Sequence, residues 1–263
     1  MKNRVRKYLS SMGIGILFVI LFAQSSPAHF QVLIPSTDIV TAEGKRTADF
    51  TIVFTHPMEG GPIMNMETPE QFGVMIMGQK KDLKGTLQVR EMEGKHTYRD
   101  SYTFKQPGDH IFFLEPAPYW EPAEDVMIIH YTKVVVNAMG AQEGWDTLVG
   151  FPVEIEPLVR PYGIWTGNVF RGIVRKNGEP VPFARIEVEY YNKDHNVKIP
   201  GDPFITQVIK ADANGVFSYA MPKSGWWGFA ALIEGDETMK NPDGKAVSVE
   251  LGALMWVKTV DMK

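Results

Sequence analysis

Short segments in which apolar and polar residues alternate, separated by clusters of Gly, Pro, Asn and Asp, follow one another from residue 29 onward. In ADFTIVFTH (48–56) the side chains of Phe50, Ile52 and Phe54 fall on one side of a strand. Similar strands are predicted for residues 30–34, 72–77, 85–91, 97–104, 110–116, 126–138 and 152–157. Short strands with turn signals every 8–12 residues or so are typical of antiparallel sandwiches, and we therefore predict an all-β fold.

The pattern is interrupted by prolines around EPLVRPYG (156–163) and then restarts. Asn177-Gly178, between strands predicted for 168–175 and 184–191, indicates a tight hairpin turn. The order G-x-P-V-P-x-A followed by D-x-x-G-x-F resembles transthyretin-like or carboxypeptidase-regulatory β-sandwiches. A chain of 263 residues can hold two such cores. We predict an N-terminal Ig-like sandwich domain over residues 29–157 and a C-terminal transthyretin-like sandwich domain over residues 158–263.

Residues 1–28 have the composition of a secretory signal peptide. Basic residues come first, an apolar stretch runs from Met12 to Ala23, and small residues precede His29. The apolar stretch is shorter than the roughly 20 residues of a membrane span, although an uncleaved anchor is the alternative interpretation. Cleavage after Ala28 makes His29 the first residue of the mature protein. Cleavage after Ser26 is the alternative, and it would leave a mature protein that begins Pro-Ala-His. We predict export to the periplasm.

Composition excludes several classes of function. The chain has no cysteine, so disulfides, thiolate metal sites and cysteine nucleophiles are excluded. The net charge is −4, and the body is more acidic still because the signal segment holds four basic residues and no acid. An acidic body argues against nucleic acid as a partner and suits a cation. Motifs of serine hydrolases, P-loop proteins, dinucleotide-binding enzymes and zinc proteases are absent, and we predict a protein that is not an enzyme.

Three histidines are candidate metal ligands. His29, as a mature N-terminus, offers an amine and an imidazole that together can chelate a borderline divalent ion; the alternative is a solvated terminus. His56 ends a strand on its inward side, where its ring is either a ligand or held by a backbone carbonyl. His130 lies within a strand, where it is a ligand or a hydrogen-bonded core residue.

Other candidates have weaker support. His96, His110 and His195 occupy polar or turn-like surroundings, for which exposed side chains are expected. Met58 belongs to a Gly- and Pro-rich methionine loop, HPMEGGPIMNME (56–67), which we expect to be mobile and exposed. Its thioethers suit Cu(I), but they are equally consistent with a docking surface or a loop folded over the end of a sandwich.

Several stretches resemble a family of exported β-sandwich proteins associated with cobalt and nickel importers, long labelled a domain of unknown function. They are AHF at the predicted mature terminus, FTHPMEGGPIMNM, PGDHIFFLEPAPYWEPAEDVMIIHYTKVVVNA, GWDTLVGFPVEIEPLVRPYG and GNVFRGIVRKNGEPVPFA. They extend from residue 28 to about residue 190, and the run PYWEPAED…HYTK is the most specific of them. The resemblance implies that the protein captures Ni²⁺ or Co²⁺ and delivers it to a membrane importer.

The hypothesis from sequence is therefore a periplasmic protein that binds Ni²⁺ or Co²⁺ as cargo and passes it to the permease of an inner-membrane importer. His29, His56 and His130 are the predicted metal ligands in the N-terminal domain, with Met58 as a fourth candidate. Three alternatives remain open at this stage: a copper carrier, a metal-free sandwich that binds a ligand or a protein, and a copper mono-oxygenase, which also begins with histidine.

Overall fold

The computed structural model describes residues 29–263, and the predicted signal peptide lies outside the described residues. The regular secondary structure of the described part is almost entirely strands, as predicted. The strands are β1 (Phe30–Pro35), β2 (Ile39–Val40), β3 (Thr47–Thr55), β4 (Ile63–Met64), β5 (Gln71–Ile76), β6 (Gln79–Asp82), β7 (Gln88–Met92), β8 (Lys95–Thr103), β9 (Gly108–Glu115), β10 (Tyr119–Glu121), β11 (Val126–Ala138), β12 (Val153–Pro157), β13 (Ile164–Trp165), β14 (Val169–Lys176), β15 (Glu179–Pro180), β16 (Arg185–Tyr190), β17 (Gln207–Lys210), β18 (Val216–Ala220), β19 (Gly225–Glu234), β20 (Met239–Lys240) and β21 (Ala246–Val260).

Helical structure in residues 29–263 is limited to two 3₁₀ turns, Lys84–Thr86 and Asp202–Phe204. None of the described helices is long and apolar enough to cross a membrane. The tight turn predicted at Asn177-Gly178 is confirmed, because both residues have positive φ, 53° and 84°, and β14 pairs with the short strand β15 across them. The strand predicted for residues 184–191 is present as β16, but it pairs with β17 and β19 and not with β14.

The strands form three sheets. A long central sheet has the order β17-β16-β19-β21-β11-β9-β5-β6. A first outer sheet has the order β1-β3-β8-β7, with β4 paired to β3, and a second outer sheet has the order β12-β14-β15, with β18 paired to β14. Side chains of a strand point alternately to its two faces. In β11, Val134 and Val136 contribute to the core under the first outer sheet, and Tyr131 and Val135 to the core under the second.

The predicted sandwich class is thus confirmed, and the two sandwiches share the central sheet. The division proposed at residue 157 does not coincide with a break between sheets. β12, which ends at Pro157, pairs with β14 in the second outer sheet. β21, near the end of the chain, pairs in parallel with β11.

β21, the longest strand, was not predicted from the sequence. Its segment GALMWV (252–257) contains no apolar–polar alternation, because Leu254 and Trp256 enter one core while Ala253 and Met255 enter the other. A strand that is covered on both faces reads as a continuous apolar run. β17 was also missed, and the strand predicted from residue 85 begins only at Gln88.

One buried ion pair connects the central sheet to the second outer sheet. Lys133 of β11 and Glu154 of β12 are 2.8 Å apart (Nζ to Oε2), and their side chains are 2% and 4% exposed. The carboxylate of Glu154 also accepts hydrogen bonds from the backbone N–H groups of Val149 and Gly150. Every charge in this cluster therefore has a partner, which is the condition under which buried ions are tolerated.

We predict that Glu154→Gln lowers the free energy of unfolding by about 3–5 kcal/mol, because it leaves the Lys133 ammonium buried without its counter-charge. Urea denaturation followed by circular dichroism measures the change. Asp194→Asn is the matched control, since Lys193 and Asp194 form an exposed pair, for which a loss of at most about 1 kcal/mol is expected. Equal losses in the two variants would contradict the prediction.

Candidate metal centre

His29 and His56 are brought together by the register of the first outer sheet. β1 and β3 are antiparallel, with Phe30 opposite Thr55. His29 comes just before Phe30 and His56 just after Thr55, so the next position in this register places the two histidines opposite each other. Their ring centroids are 4.4 Å apart. The inward orientation predicted for His56 agrees with its exposure of 6%.

Glu121 closes one side of this pair. It ends β10, and its Oε2 lies 3.1 Å from Nε2 of His29, with both side chains 10% exposed. Its Oε1 accepts a hydrogen bond of 2.9 Å from the backbone N–H of Ala123. Tyr119, two residues earlier on β10, lies with its ring 5.8 Å from that of His29. The turn after β10 thus holds both carboxylate oxygens in place.

His130 belongs to the same neighbourhood but does not touch His29 directly. Phe54 lies between them, with ring centroids 5.5 Å from His29 and 5.8 Å from His130. His130 is 1% exposed, and it lines a small cavity of about 40 Å³ together with Tyr119 and Met66. Its Nε2 lies 3.3 Å from Oε1 of Glu250, whereas its Nδ1 is buried without a hydrogen-bond partner.

The site depends on a glycine in β21. In the parallel pairing of β11 with β21, His130 is opposite Gly252. A Cβ atom at Gly252 would be 2.2 Å from Cδ2 of His130, so only glycine leaves room for the imidazole against this strand.

His56 has its own acidic neighbour in the loop that follows β3. Its Nδ1 is 3.4 Å from Oε2 of Glu59, yet it is buried without a well-formed hydrogen bond. Each of the three histidines therefore has one ring nitrogen directed toward a different carboxylate, that of Glu59, Glu121 or Glu250. None of these acids was predicted from the sequence to lie beside a histidine.

Met58 lies outside this cluster. Its backbone N–H donates to Oε2 of Glu189 at 3.0 Å, and its carbonyl accepts from Nδ2 of Asn192 at 3.1 Å. Its side chain lines an apolar groove of about 430 Å³ beside Val188 and Trp227. These contacts fix the loop against the second half of the molecule.

The expectation that the methionine loop is exposed was wrong. Met58, Met64 and Met66 are 8%, 8% and 5% exposed. Met64 lies in β4, which pairs with β3, and both Met64 and Met66 belong to the first core. The Gly and Pro residues of the loop therefore shape a packed connection over the end of the sandwich.

Two of the three remaining histidines, His96 and His195, are exposed as expected. The expectation for His110 was wrong, because its exposure is 0%. It lies in β9, inside the central sheet, where its Nδ1 is 3.1 Å from the carbonyl oxygen of Gly108 and its ring is 4.9 Å from that of Phe104. The sequence GDHIF looks turn-like because β9 begins at Gly108, with His110 already inside the strand.

Burial lowers the pKa of two of these imidazoles, those of His29 and His56. Burial, followed by the charges of His56 and His130, lowers the pKa of His29 to about 4. Burial also lowers the pKa of His56, against the opposing effect of Glu59. Burial acts to raise the pKa of Glu250, but its hydrogen bond and charge interaction with His130 outweigh this, and the pKa is lowered. At neutral pH the rings of His29 and His56 are thus neutral, and the carboxylate of Glu250 is ionised.

Neutral imidazoles and carboxylates are ligands that suit borderline divalent metal ions. Within residues 29–263, however, no three His, Asp or Glu side chains converge in a geometry that could already hold a metal ion. Phe54 separates His130 from His29, and the nitrogen of His29 is an amide in this chain. A metal site here would need a further ligand, such as the amine that the predicted cleavage after Ala28 would create.

The lowered pKa of His29 predicts a specific loss of stability in acid. The unfolded chain takes up a proton near pH 6.5, whereas the folded protein does so only near pH 4. The contribution of the neutral His29 ring to the free energy of unfolding is therefore fully present above pH 6.5. It is lost as the pH falls toward 4, and it amounts to about 3 kcal/mol at most.

We expect the free energy of unfolding of His29→Gln to decrease between pH 7.5 and 4 by about 3 kcal/mol less than that of the unaltered protein. The measurement is urea denaturation of residues 28–263 with a chelator between pH 7.5 and 4. His96→Gln, at an exposed histidine, is the control that should follow the unaltered protein. Parallel pH profiles of the unaltered protein and His29→Gln would contradict the burial of a neutral ring.

One protein family and several solved structures are similar to this chain. No curated protein matches the chain. Among solved structures, the D0-D1 domain of intimin is 12% identical with a TM-score of 0.25 over 88% of this chain and 100% of that chain. Latent PorU from Porphyromonas gingivalis is 11% identical (TM-score 0.24), over 88% of this chain and 20% of that chain. A two-domain fibronectin type III segment of chicken tenascin is 13% identical (TM-score 0.22), over 88% of this chain and 100% of that chain. TM-scores this low carry no argument about fold or function. The family described as "Domain of unknown function (DUF4198)" matches residues 26–235, most of the chain, and the protein therefore belongs to that family.

Proposed function

We propose that this protein binds Ni²⁺ or Co²⁺ in the periplasm and passes the ion to a membrane importer. The observation that carries the proposal is the contact between His29 and His56, two largely buried imidazoles whose ring centroids are 4.4 Å apart. Buried polar rings normally have hydrogen-bond partners, and neutral rings without them have lone pairs available for a metal ion. The export and the importer come from the family resemblance of the sequence.

His29 would supply two ligands once the bond after Ala28 is cut. The new amine and the imidazole belong to one residue, so chelation requires little ordering of the chain. His56 is close enough to add a second imidazole, and His130 lies behind Phe54 as a third. We propose that this cluster serves a carrier and not an enzyme.

The positions of the methionines favour Ni²⁺ or Co²⁺ over Cu(I). Met58 faces the apolar groove, and Met64 is packed into the first core. Met66 lies nearer, beside the small cavity at His130, but its sulfur accepts a weak hydrogen bond from Gln31 at 3.9 Å. The groups that surround the histidines are carboxylates, which are harder ligands than thioethers.

We predict that the protein beginning at His29 binds Ni²⁺ and Co²⁺ at least about tenfold more tightly than a matched protein beginning at Ala28. The estimate follows because the loss of an outer-shell partner alone costs about 10–100-fold, and the extra residue removes a direct ligand. Isothermal titration calorimetry at pH 7.5 measures both affinities, with His56→Gln expected to weaken binding and His96→Gln as the exposed control.

The pH dependence separates the contributions of the amine and the rings. A free α-amine has a pKa near 8, so affinity of the protein beginning at His29 should fall steadily as the pH is lowered from about 8. Binding by the protein beginning at Ala28 should change less over the same range, because burial delays protonation of the rings. Equal affinities in the two proteins at every pH would contradict the role of His29.

A second candidate function, a metal-free binding module, is supported by the groove at Met58. The groove is of a size typical of small-molecule sites, and its lining is mainly apolar and aromatic, including Tyr190, Tyr219 and Trp227. If neither protein binds Ni²⁺ or Co²⁺ in the calorimeter, the metal proposal fails and this groove becomes the leading candidate site.

A further inference from the structure

Each histidine of the cluster has one ring nitrogen close to a carboxylate, and this nitrogen is not the same atom in all three rings. Nε2 of His29 is 3.1 Å from Glu121, and Nε2 of His130 is 3.3 Å from Glu250. In His56 it is Nδ1 that approaches Glu59, at 3.4 Å. An ionised carboxylate can only accept hydrogen bonds, and a neutral imidazole carries its proton on one nitrogen only. At His29 and His130 the nitrogen facing the carboxylate must therefore be the protonated one, whereas Nδ1 of His56 is buried without a hydrogen-bond partner, and Glu59 does not fix its tautomer.

We infer that Glu121 and Glu250 are positioning residues that hold His29 and His130 as the Nε2-protonated tautomer, so that Nδ1 of each ring is the atom that binds the metal ion. This inference rests on the proposed function, and it specifies which atoms the ion would meet.

The assignment for His29 agrees with the geometry of chelation. Nδ1 lies on the side of the ring nearest the backbone nitrogen of the same residue, so an ion can bind both atoms in a small chelate ring. Nε2 is on the far side of the imidazole and cannot share an ion with that amine. Glu121 occupies Nε2 and leaves Nδ1 free, which is the tautomer that chelation requires.

The assignment for His130 rests on an unpaired atom. Nδ1 of His130 is buried without any hydrogen-bond partner, which is unfavourable for a ring that is 1% exposed. The Nε2 side is occupied by Glu250, and Gly252 gives the imidazole its only space against β21. A metal ion at Nδ1 would satisfy the one polar atom of His130 that the protein leaves unsatisfied.

Carboxylates in this arrangement strengthen metal binding without touching the ion. A hydrogen bond to the distal nitrogen fixes the ring orientation and raises the basicity of the coordinating nitrogen, and its removal typically weakens metal affinity by 10–100-fold. Glu250 comes from β21, so the far end of the chain contributes to a site otherwise built from the first half.

Nitrogen-15 NMR of histidine-labelled protein tests the assignment without metal. The sample is the protein beginning at His29, which contains every strand, with a chelator at pH 8, above the ordinary imidazole pKa of about 6.5. Long-range proton–nitrogen spectra distinguish a protonated from an unprotonated ring nitrogen. We expect a protonated Nε2 in His29 and in His130.

Two substitutions then test the carboxylates. Glu121→Gln and Glu250→Gln should shift the tautomer balance of His29 and His130 respectively and weaken Ni²⁺ binding by about 10–100-fold. Glu250→Asp should restore part of both effects. The matched control is Glu234→Gln, since Glu234 lies directly opposite Glu250 on β19 but is exposed. Backbone amide spectra of each variant establish that it is folded.

The outcomes separate the two proposals. A protein that binds Ni²⁺ or Co²⁺ but carries the proton of His29 or His130 on Nδ1 overturns this inference alone. Unchanged tautomers and affinity in both glutamine variants overturn it as well. A protein with the expected tautomers that binds neither ion overturns the proposed function, and with it the role of Nδ1 as a ligand atom.

Discussion

The parallel pairing of β11 with β21 is the constraint on which the rest of the structure depends. It extends from Val126 opposite Ser248 to Val134 opposite Trp256 and joins strands that are more than a hundred residues apart in the chain. This pairing makes one continuous central sheet out of two halves and gives each outer sheet an apolar face to cover. The same register places Gly252 against His130 and Glu250 at its Nε2. A slip by one residue would turn both away from the candidate site and exchange the side chains of the two cores.

The fold was predictable where strands alternate, and not where they are covered on both faces. Strands such as β3, with Phe50 and Ile52 directed into one core, carry the signal in their own sequence. The bounds of β11 agree with its prediction, since a long run of β-branched residues is itself typical of a strand. β21 gives no such signal, because its side chains enter both cores. Missing β21 also concealed the shared sheet, and so suggested two separate sandwiches.

The histidines of the candidate site were predictable, whereas their partners were not. His56 could be placed from its parity in one strand and its position at the strand end, and His29 from the signal-peptide pattern. Glu250 reaches His130 through the pairing of β21 with β11, which are distant in sequence, and Glu121 lies in a local hairpin that meets His29 from about ninety residues away in the chain. No local pattern specifies either contact. Met58 was misplaced for the opposite reason. Its proximity to His56 in sequence suggested proximity in space, but hydrogen bonds to Glu189 and Asn192 direct it toward the groove.

On the proposed function, the chemistry of His29 ties metal binding to export. Before cleavage its nitrogen is an amide, which offers no lone pair at neutral pH, and the ring alone remains beside His56 and Glu121. Cleavage after Ala28 converts that nitrogen into an amine next to a ring already held by a carboxylate. The folded site needs little rearrangement at that moment, because the ring orientation does not depend on the ion. A precursor with these residues in place would therefore bind weakly, and the full ligand set would exist only after the signal peptide is removed.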